Sequence, residues 1–206
     1  VGIKNRYIAS PDVCASDLCL DAAERLIAGL GWEKESIDVL LFSSVTGDYK
    51  TPPTSAILQD RLGLPSSTFI LDTPMGCCGC MYAINVAGNL LSSGNVKRAI
   101  LLVGDTAMRM GNANDKSRAS LFGDSGTAMA LEYDTTAEDI VVEFNTLGSS
   151  YNALMTPHGG YRFPIEQETS FIEDDFGNGI INQIPHIEQQ TFTNTFVRRD
   201  TLQRIA

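Results

Sequence analysis

The chain has 206 residues, 43% hydrophobic and 19% charged, a balance that supplies a sizeable core and argues against overall disorder. Its net charge of −10 leaves no basic stripe to exchange for the counterions of a phosphate backbone, which argues against a nucleic-acid partner. The longest apolar runs, such as 39–42 and 100–103, fall far short of the roughly 20 residues that span a bilayer, so no membrane segment is expected.

Taken in chain order, Ser16-Asp17 and the apolar residues at 18, 19, 22, 23, 26, 27 and 30 have helical spacing. Ser16 is the predicted N-cap, and Gly29 or Gly31 the terminator. Residues 37–45 (IDVLLFSSV) form a nearly continuous apolar run, as in a strand buried on both faces. Pro52-Pro53 then opens a second helix through Ala56, Ile57, Leu58 and Leu62, stopped by Gly63 and Pro65. Residues 68–72 (TFILD) read as the next buried strand. A third helix is predicted over 77–93, with Ala83, Val86, Ala87, Leu90 and Leu91 on its apolar face and Ser92-Ser93-Gly94-Asn95 as its end. Residues 98–104, 126–133 and 139–145 read as three further strands. This alternation predicts an α/β fold with helices on both faces of a mixed, mostly parallel sheet. From about 148 the periodicity fades and Gly, Pro, Asn, Gln and acidic residues dominate through Gln190. The expected division is therefore a domain over 1–147 and, over 148–206, a loop-rich extension or the start of a connection to a C-terminal half, longer than ordinary connections.

The five cysteines at 14, 19, 77, 78 and 80 are odd in number and clustered, unlike a disulfide framework, so a reducing cytoplasm is the simpler expectation. The chain opens on Val1 with no initiator Met and no signal-like apolar stretch, and it reads as processed or as a fragment.

Leu71-Asp72-Thr73-Pro74-Met75-Gly76-Cys77-Cys78-Gly79-Cys80 stands between a predicted strand and a predicted helix. A thiol in the first turn of a helix feels the partial positive charge of unpaired N–H groups, which favours thiolate, the nucleophilic species. Gly76 and Gly79 around Cys77 permit a sharp strand-to-helix turn and close approach of the helix to its neighbours, as in a nucleophile elbow. Cys78 and Cys80 are read instead as small core residues, since free Cys is among the most buried side chains. A metal site is not expected: Cys77 and Cys78 are adjacent rather than at chelating spacing, and no second Cys or His pair lies nearby.

Asp72 to Gly79 resembles the pattern Asp-x-x-x-(Ala/Gly)-Cys-(Ser/Cys)-Gly around the active-site cysteine of 3-oxoacyl-[acyl-carrier-protein] synthases III, with Cys77 in the nucleophile's place. Phe122-Gly123-Asp124-Ser125-Gly126-Thr127-Ala128 is similar to that family's Phe-Gly-Asp-Gly-Ala-Gly-Ala. Three shorter matches agree in order: Val1-Gly2-Ile3-Lys4-Asn5-Arg6 with Thr-Gly-Ile-x-x-Arg, Ala15-Ser16-Asp17-Leu18 with the start of the first long helix, and Pro52-Pro53-Thr54 with Phe-Pro-Ser. The resemblance covers roughly residues 1–146 and implies the N-terminal half of a thiolase-like fold, with the first strand upstream of Val1.

What the resemblance implies for function is an acyltransferase that acts as a homodimer. Cys77 would take an acyl group from acyl-CoA or an acyl carrier protein, and a malonyl thioester would decarboxylate and attack it, as in fatty-acid or polyketide synthesis. The Cys77 N–H would form part of an oxyanion hole. No permanently bound cofactor is implied. Lys4 and Lys116 fall where the family often has cofactor-contacting arginines, although a Lys is a point charge and not a bidentate fork. Asp124, between Gly123 and Gly126, is expected to order a turn and not to react. The alternatives are acyl transfer to a hydroxyl or amine, and a non-catalytic dimerisation module.

The sequence departs from the family where condensation is concerned. The family's His-Gln-Ala-Asn and Gly-Asn segments, which belong to its C-terminal half, have no counterpart. His158 in Pro-His-Gly-Gly, His186 in Ile-Pro-His-Ile and Asn178 in Phe-Gly-Asn-Gly are read as loop residues. Pro52 replaces an aromatic that often walls the acyl pocket across the dimer, leaving chain length open.

Overall fold

The structure, a computed structural model, describes residues 2–110, 121–138, 140–155, 160–162 and 196–197. Two compact units are present, one of Arg6–Thr106 with Gly123–Glu143, the other of Val1–Asn5, Ala107–Phe122 and Phe144–Ala206.

The first unit holds a four-stranded sheet in the order β2-β1-β3-β4, with β1 Val39–Ser43, β2 Phe69–Thr73, β3 Arg98–Asp105 and β4 Ser125–Glu132. β1 runs parallel to β2 and β3, and β4 is antiparallel to β3, so the sheet is mixed and mostly parallel. Helices α1 (Ala15–Leu30) and α2 (Thr54–Leu62) lie on one face and α3 (Gly79–Ser92) on the other. The pleat divides the buried strands accordingly: Leu40, Phe42, Ile100 and Leu102 face α1 and α2, while Val39, Leu41, Ala99 and Leu101 face α3. This is the fold class that the sequence predicted, and the apolar run 39–43 is buried throughout because both of its faces are covered.

Both long helices bury one narrow stripe at four-residue spacing. In α1 it is Ala15, Cys19, Ala23 and Ile27, and in α3 it is Gly79, Ala83, Ala87 and Leu91. Small residues at these positions let the helix backbone settle close to the sheet. On the α1 side the approach is close where Gly104 of β3 stands opposite Gly126 of β4. A Cβ on Gly104 would lie 2.8 Å from the Cys19 Sγ, and one on Gly126 would lie 2.6 Å from Leu18 Cβ and run into the α1 backbone.

Several local expectations are corrected. The N-cap of α1 is Cys14 rather than Ser16, two residues earlier; the Asp17 carboxylate reaches back to accept the Cys14 N–H at 2.7 Å, a local capping contact, and is itself paired with Arg61 of α2 at 2.8 Å. Its C-cap is Gly31 in the left-handed region (φ 64°). Among the described residues β2 is the edge of the sheet and not a fully buried strand, and Phe69 is 45% exposed. Residues 140–145 form no strand: neither β2 nor β4 pairs with them, and a β-prone run without a pairing edge has nothing to hold it extended. Ile140 packs instead against Gly88 of α3, and Val141 is exposed.

The second unit contains short 3₁₀ turns at Ala107–Met110 and Gly148–Ala153 and a two-residue antiparallel ladder of β5 (Leu154–Met155) with β6 (Phe196–Val197). Among the described residues no helix is long and apolar enough to cross a membrane.

Candidate active site

Cys77 lies in the turn Gly76–Cys78 between β2 and α3. It precedes the N-cap, Cys78, and so sits just outside the first helical turn in which the sequence placed it. The turn is built by short backbone bonds: the Met75 N–H donates to Thr73 O at 2.8 Å, and the Gly79 N–H to Gly76 O at 2.9 Å. The N–H groups of Met81 and Tyr82 both donate to Cys78 O, which starts the helix. The N–H of Cys77 itself makes no hydrogen bond among the described residues. Cys77 is exposed, and it immediately precedes the N-cap at the positive end of α3.

Gly79 is the residue that lets this turn approach the sheet. It is buried, and a Cβ there would overlap the Ser43 Oγ at the end of β1 and lie 3.2 Å from Met75 Cβ. The Ser43 hydroxyl in turn donates to Met75 O at 3.3 Å. Gly76 has no such constraint: a Cβ would only touch Val45 at 3.8 Å, an ordinary contact. Cys78 and Cys80 are corrected: Cys78 is exposed and Cys80 half-buried, because the stripe that α3 turns to the sheet begins at Gly79 and passes both by. The core thiol is Cys19, which burial pushes up to about 11, with Asp105 and Asp48 adding to the rise and a backbone hydrogen bond to Thr127 opposing it.

Two carboxylates that the sequence reading left without a role hold the surroundings of the turn. Asp72, at the end of β2, accepts the N–H of Thr54 at 2.6 Å and of Ser55 at 2.8 Å, capping α2 from outside the helix. Asp105, at the end of β3, uses Oδ1 to accept from Ser44 Oγ, the N–H of Val45, and both the N–H and hydroxyl of Thr46, at 2.8–3.2 Å. Those bonds fix the loop whose Val45 lies over Gly76. A cleft of about 640 Å³ opens beside it, lined by Phe42, Val45, Tyr49, Pro53, Asp72 and Pro74 among others. The family signature Asp-x-x-x-Gly-Cys was the only signal for Asp72, and nothing local marked Asp105.

Asp124 is buried; its Oδ2 accepts the Ala9 N–H at 2.9 Å and its own N–H donates to Tyr7 O at 2.8 Å. Gly123 leaves room for that strap, since a Cβ would lie 3.1 Å from Tyr7 O. Asp124, Gly123 and Gly126 thus hold the segment before α1, and α1 itself, against β4. Lys4 is exposed and belongs to the second unit. Lys116, His158, Asn178 and His186 lie outside the described residues. No group of three or more His, Cys, Asp or Glu among the described residues is placed to hold a metal ion.

A family model described as 3-oxoacyl-[acyl-carrier-protein] synthase III matches residues 71–148, the span from the Cys77 turn through β4. The chain is 32% identical over 164 residues to a putative 3-oxoacyl-[acyl-carrier-protein] synthase 3 of Campylobacter jejuni, covering 80% of this chain and 46% of that protein. It also superposes on a crystal structure of 3-oxoacyl-(acyl-carrier protein) synthase from Burkholderia xenovorans LB400 (TM-score 0.71, 39% identity, 78% of this chain and 46% of that one). A second crystal structure, titled as a 3-oxoacyl-(acyl-carrier-protein) synthase III, matches 99% of this chain and 58% of its own length (TM-score 0.84, 27% identity). The chain spans about half the length of the curated relatives that it matches. In sequence and in fold it therefore resembles the N-terminal half of a 3-oxoacyl-[acyl-carrier-protein] synthase III, with the α/β architecture of the thiolase-like enzymes.

Proposed function

We propose that this chain is the acyl-accepting half of a condensing acyltransferase, with Cys77 as the nucleophile that carries the acyl group. The observation that supports the reading best is the turn itself: two exposed thiols, Cys77 and Cys78, between a strand end and a helix N-terminus, held close to the sheet by a glycine that admits no side chain, with Cys77 the one whose place matches the family's nucleophile. The thiolate attacks the carbonyl carbon of an acyl thioester, the carbonyl electrons move onto oxygen, and the tetrahedral species collapses with loss of the CoA or carrier thiolate. The Cys77 N–H, with no acceptor among the described residues, is the donor available to the developing oxyanion. The cleft beside Val45 and Pro74 gives a mixed apolar and polar wall near the turn.

The acyl donors are acyl-CoA or an acyl carrier protein, no permanently bound cofactor takes part, and the enzyme works as a homodimer in the cytoplasm. The β2 edge, unpaired on its outer side among the described residues and with Phe69 exposed on it, supports the dimer reading, since an uncovered edge is a template for pairing with a second strand. Decarboxylative condensation with a malonyl thioester is the reaction that the acyl-cysteine serves, and it draws on the groups that the family carries in its other half.

Incubating the folded chain with acyl-CoA and measuring intact mass tests the first step. An acyl adduct is expected on Cys77, lost in Cys77→Ala and retained in Cys78→Ala. A folded sample that forms no adduct, or one whose adduct survives Cys77→Ala, overturns the reading.

A further inference from the structure

Cys77 and Cys80 stand at C-x-x-C spacing across the entry to α3, where a strand runs into a helix. The residues between them fold as a tight turn. Cys78 has αR dihedrals (φ −93°, ψ −7°), Gly79 is the first residue of the helix, and the Met81 N–H donates to Cys78 O at 3.1 Å. A turn with two such central residues keeps its end Cα atoms within about 7 Å. That overlaps the roughly 4.4–6.8 Å over which a disulfide closes. The neighbouring pair is disfavoured on the same ground: adjacent Cα atoms across a trans peptide are about 3.8 Å apart, below the usual range, and a bond there is strained.

Exposure sorts the roles. Cys77 is exposed and meets a solute oxidant first, while Cys80, the second residue of the helix, is half-buried. Cys19 is sealed in the core with its Sγ against Gly104, and Cys14 caps a different helix. Gly79, between the two thiols, turns its backbone to Ser43 and puts no side chain in their way.

We propose that Cys77 and Cys80 form a reversible disulfide under peroxide, a thiol switch that withdraws Cys77 from acylation; the disulfide stands on the turn geometry, and its effect on acylation rests on the function proposed above. The Cys77 thiolate attacks one peroxide oxygen, forming an S–O bond, breaking the O–O bond and releasing hydroxide, which is protonated to water. The Cys80 sulfur then attacks the Cys77 sulfenic acid, forming S–S, breaking S–O and releasing a second water. Hydrogen peroxide is reduced and the two thiols are oxidised. A dithiol reductant reverses the exchange. While the bond exists the Cys77 sulfur has no lone thiolate to offer a thioester.

The test is oxidation of the reduced chain with hydrogen peroxide, followed by blocking of free thiols and unreduced peptide mapping. The peptide holding residues 77–80 should appear two hydrogens lighter, with one thiol blocked. Cys78→Ser should still form the bond, whereas Cys80→Ser should not, its Cys77 passing to sulfinic acid. Oxidised wild type should lose acyl-CoA labelling and regain it on dithiothreitol, and oxidised Cys80→Ser should not regain it. Cys77 passing to sulfinic acid in the wild type as readily as in Cys80→Ser overturns the proposal, as does a bond that persists in Cys80→Ser. If the disulfide forms but reduced protein takes no acyl group, the acyl-acceptor reading fails and the switch claim with it, while the oxidation site stands.

Discussion

Gly79 lies so close to Ser43 that a methyl group on its Cα would overlap the serine hydroxyl. This one contact couples the start of α3 to the end of β1, and with it the position of Cys77. Gly79→Ala should therefore destabilise the fold by about 1–3 kcal/mol, in the range of overpacked cores. It should also weaken labelling at Cys77. Combining it with Ser43→Ala removes the overlapping oxygen, leaving Cβ atoms 3.4 Å apart, and should recover part of the loss. Denaturant unfolding of the two single variants and the double variant gives the coupling energy; strict additivity would show that the two residues do not share space.

Asp72 caps a helix that it does not belong to. Asp72→Ala leaves the N–H groups of Thr54 and Ser55 without their acceptor and should lower stability by about 1–3 kcal/mol. Asp72→Asn keeps one oxygen and should cost less. Equal losses for the two would show that packing rather than capping is at stake.

Asp105 gathers four donors onto one oxygen. Asp105→Asn preserves that acceptor and Asp105→Ala removes it, so Ala should cost about 2–3 kcal/mol and Asn distinctly less. The Ala variant should also show faster amide exchange at Val45 and Thr46, whose N–H groups lose their partner. Unchanged exchange there would remove Asp105 from the positioning of the loop over Gly76.

The cysteines should differ sharply in reactivity. Cys77 and Cys78, both exposed, are expected to react with iodoacetamide in the native state, and Cys19 only after unfolding. Because the buried Cys19 thiol is pushed up to about 11, the native state keeps its proton where the unfolded chain has released it. The stability this contributes is full below the ordinary thiol range and is lost as pH rises toward about 11. Cys19→Ala should flatten that alkaline fall in the unfolding curve. Native-state labelling of Cys19 at neutral pH would contradict its burial.

Asp48 gives the acidic counterpart. Burial raises its carboxyl above the usual range, opposed by the hydrogen bond from Ser16 and by Arg61 and reinforced by Asp17 and Asp72. The folded state thus holds the proton to higher pH than the unfolded chain. The stabilising contribution is complete in acid below the ordinary carboxylate range and declines as pH rises through the raised value. Asp48→Asn, uncharged throughout, should be less sensitive to pH in that window; an unchanged profile by thermal unfolding would assign the pH dependence elsewhere.

What the amino-acid sequence determined by itself is the part written in local chemistry. Helical spacing of small apolar residues marked α1 and α3, Gly31 and Gly63 marked helix ends that need a left-handed residue, and the unbroken run 39–43 marked a strand covered on both faces. The Gly-Cys-Cys-Gly turn was legible for the same reason, since a strand-to-helix junction and its glycines are neighbours in the chain. Only the tertiary structure decided which residues serve that turn. Asp72 meets Thr54 across 18 residues and Asp105 meets Val45 across 60, and no periodicity encodes such pairs. It likewise decided that the apolar run at 140–145 makes no strand, that β2 is an edge, and that Cys19, not Cys78 or Cys80, is the core thiol. A β-strand needs a partner and a buried face needs an opposing surface, and both are supplied by chain that lies far away in sequence.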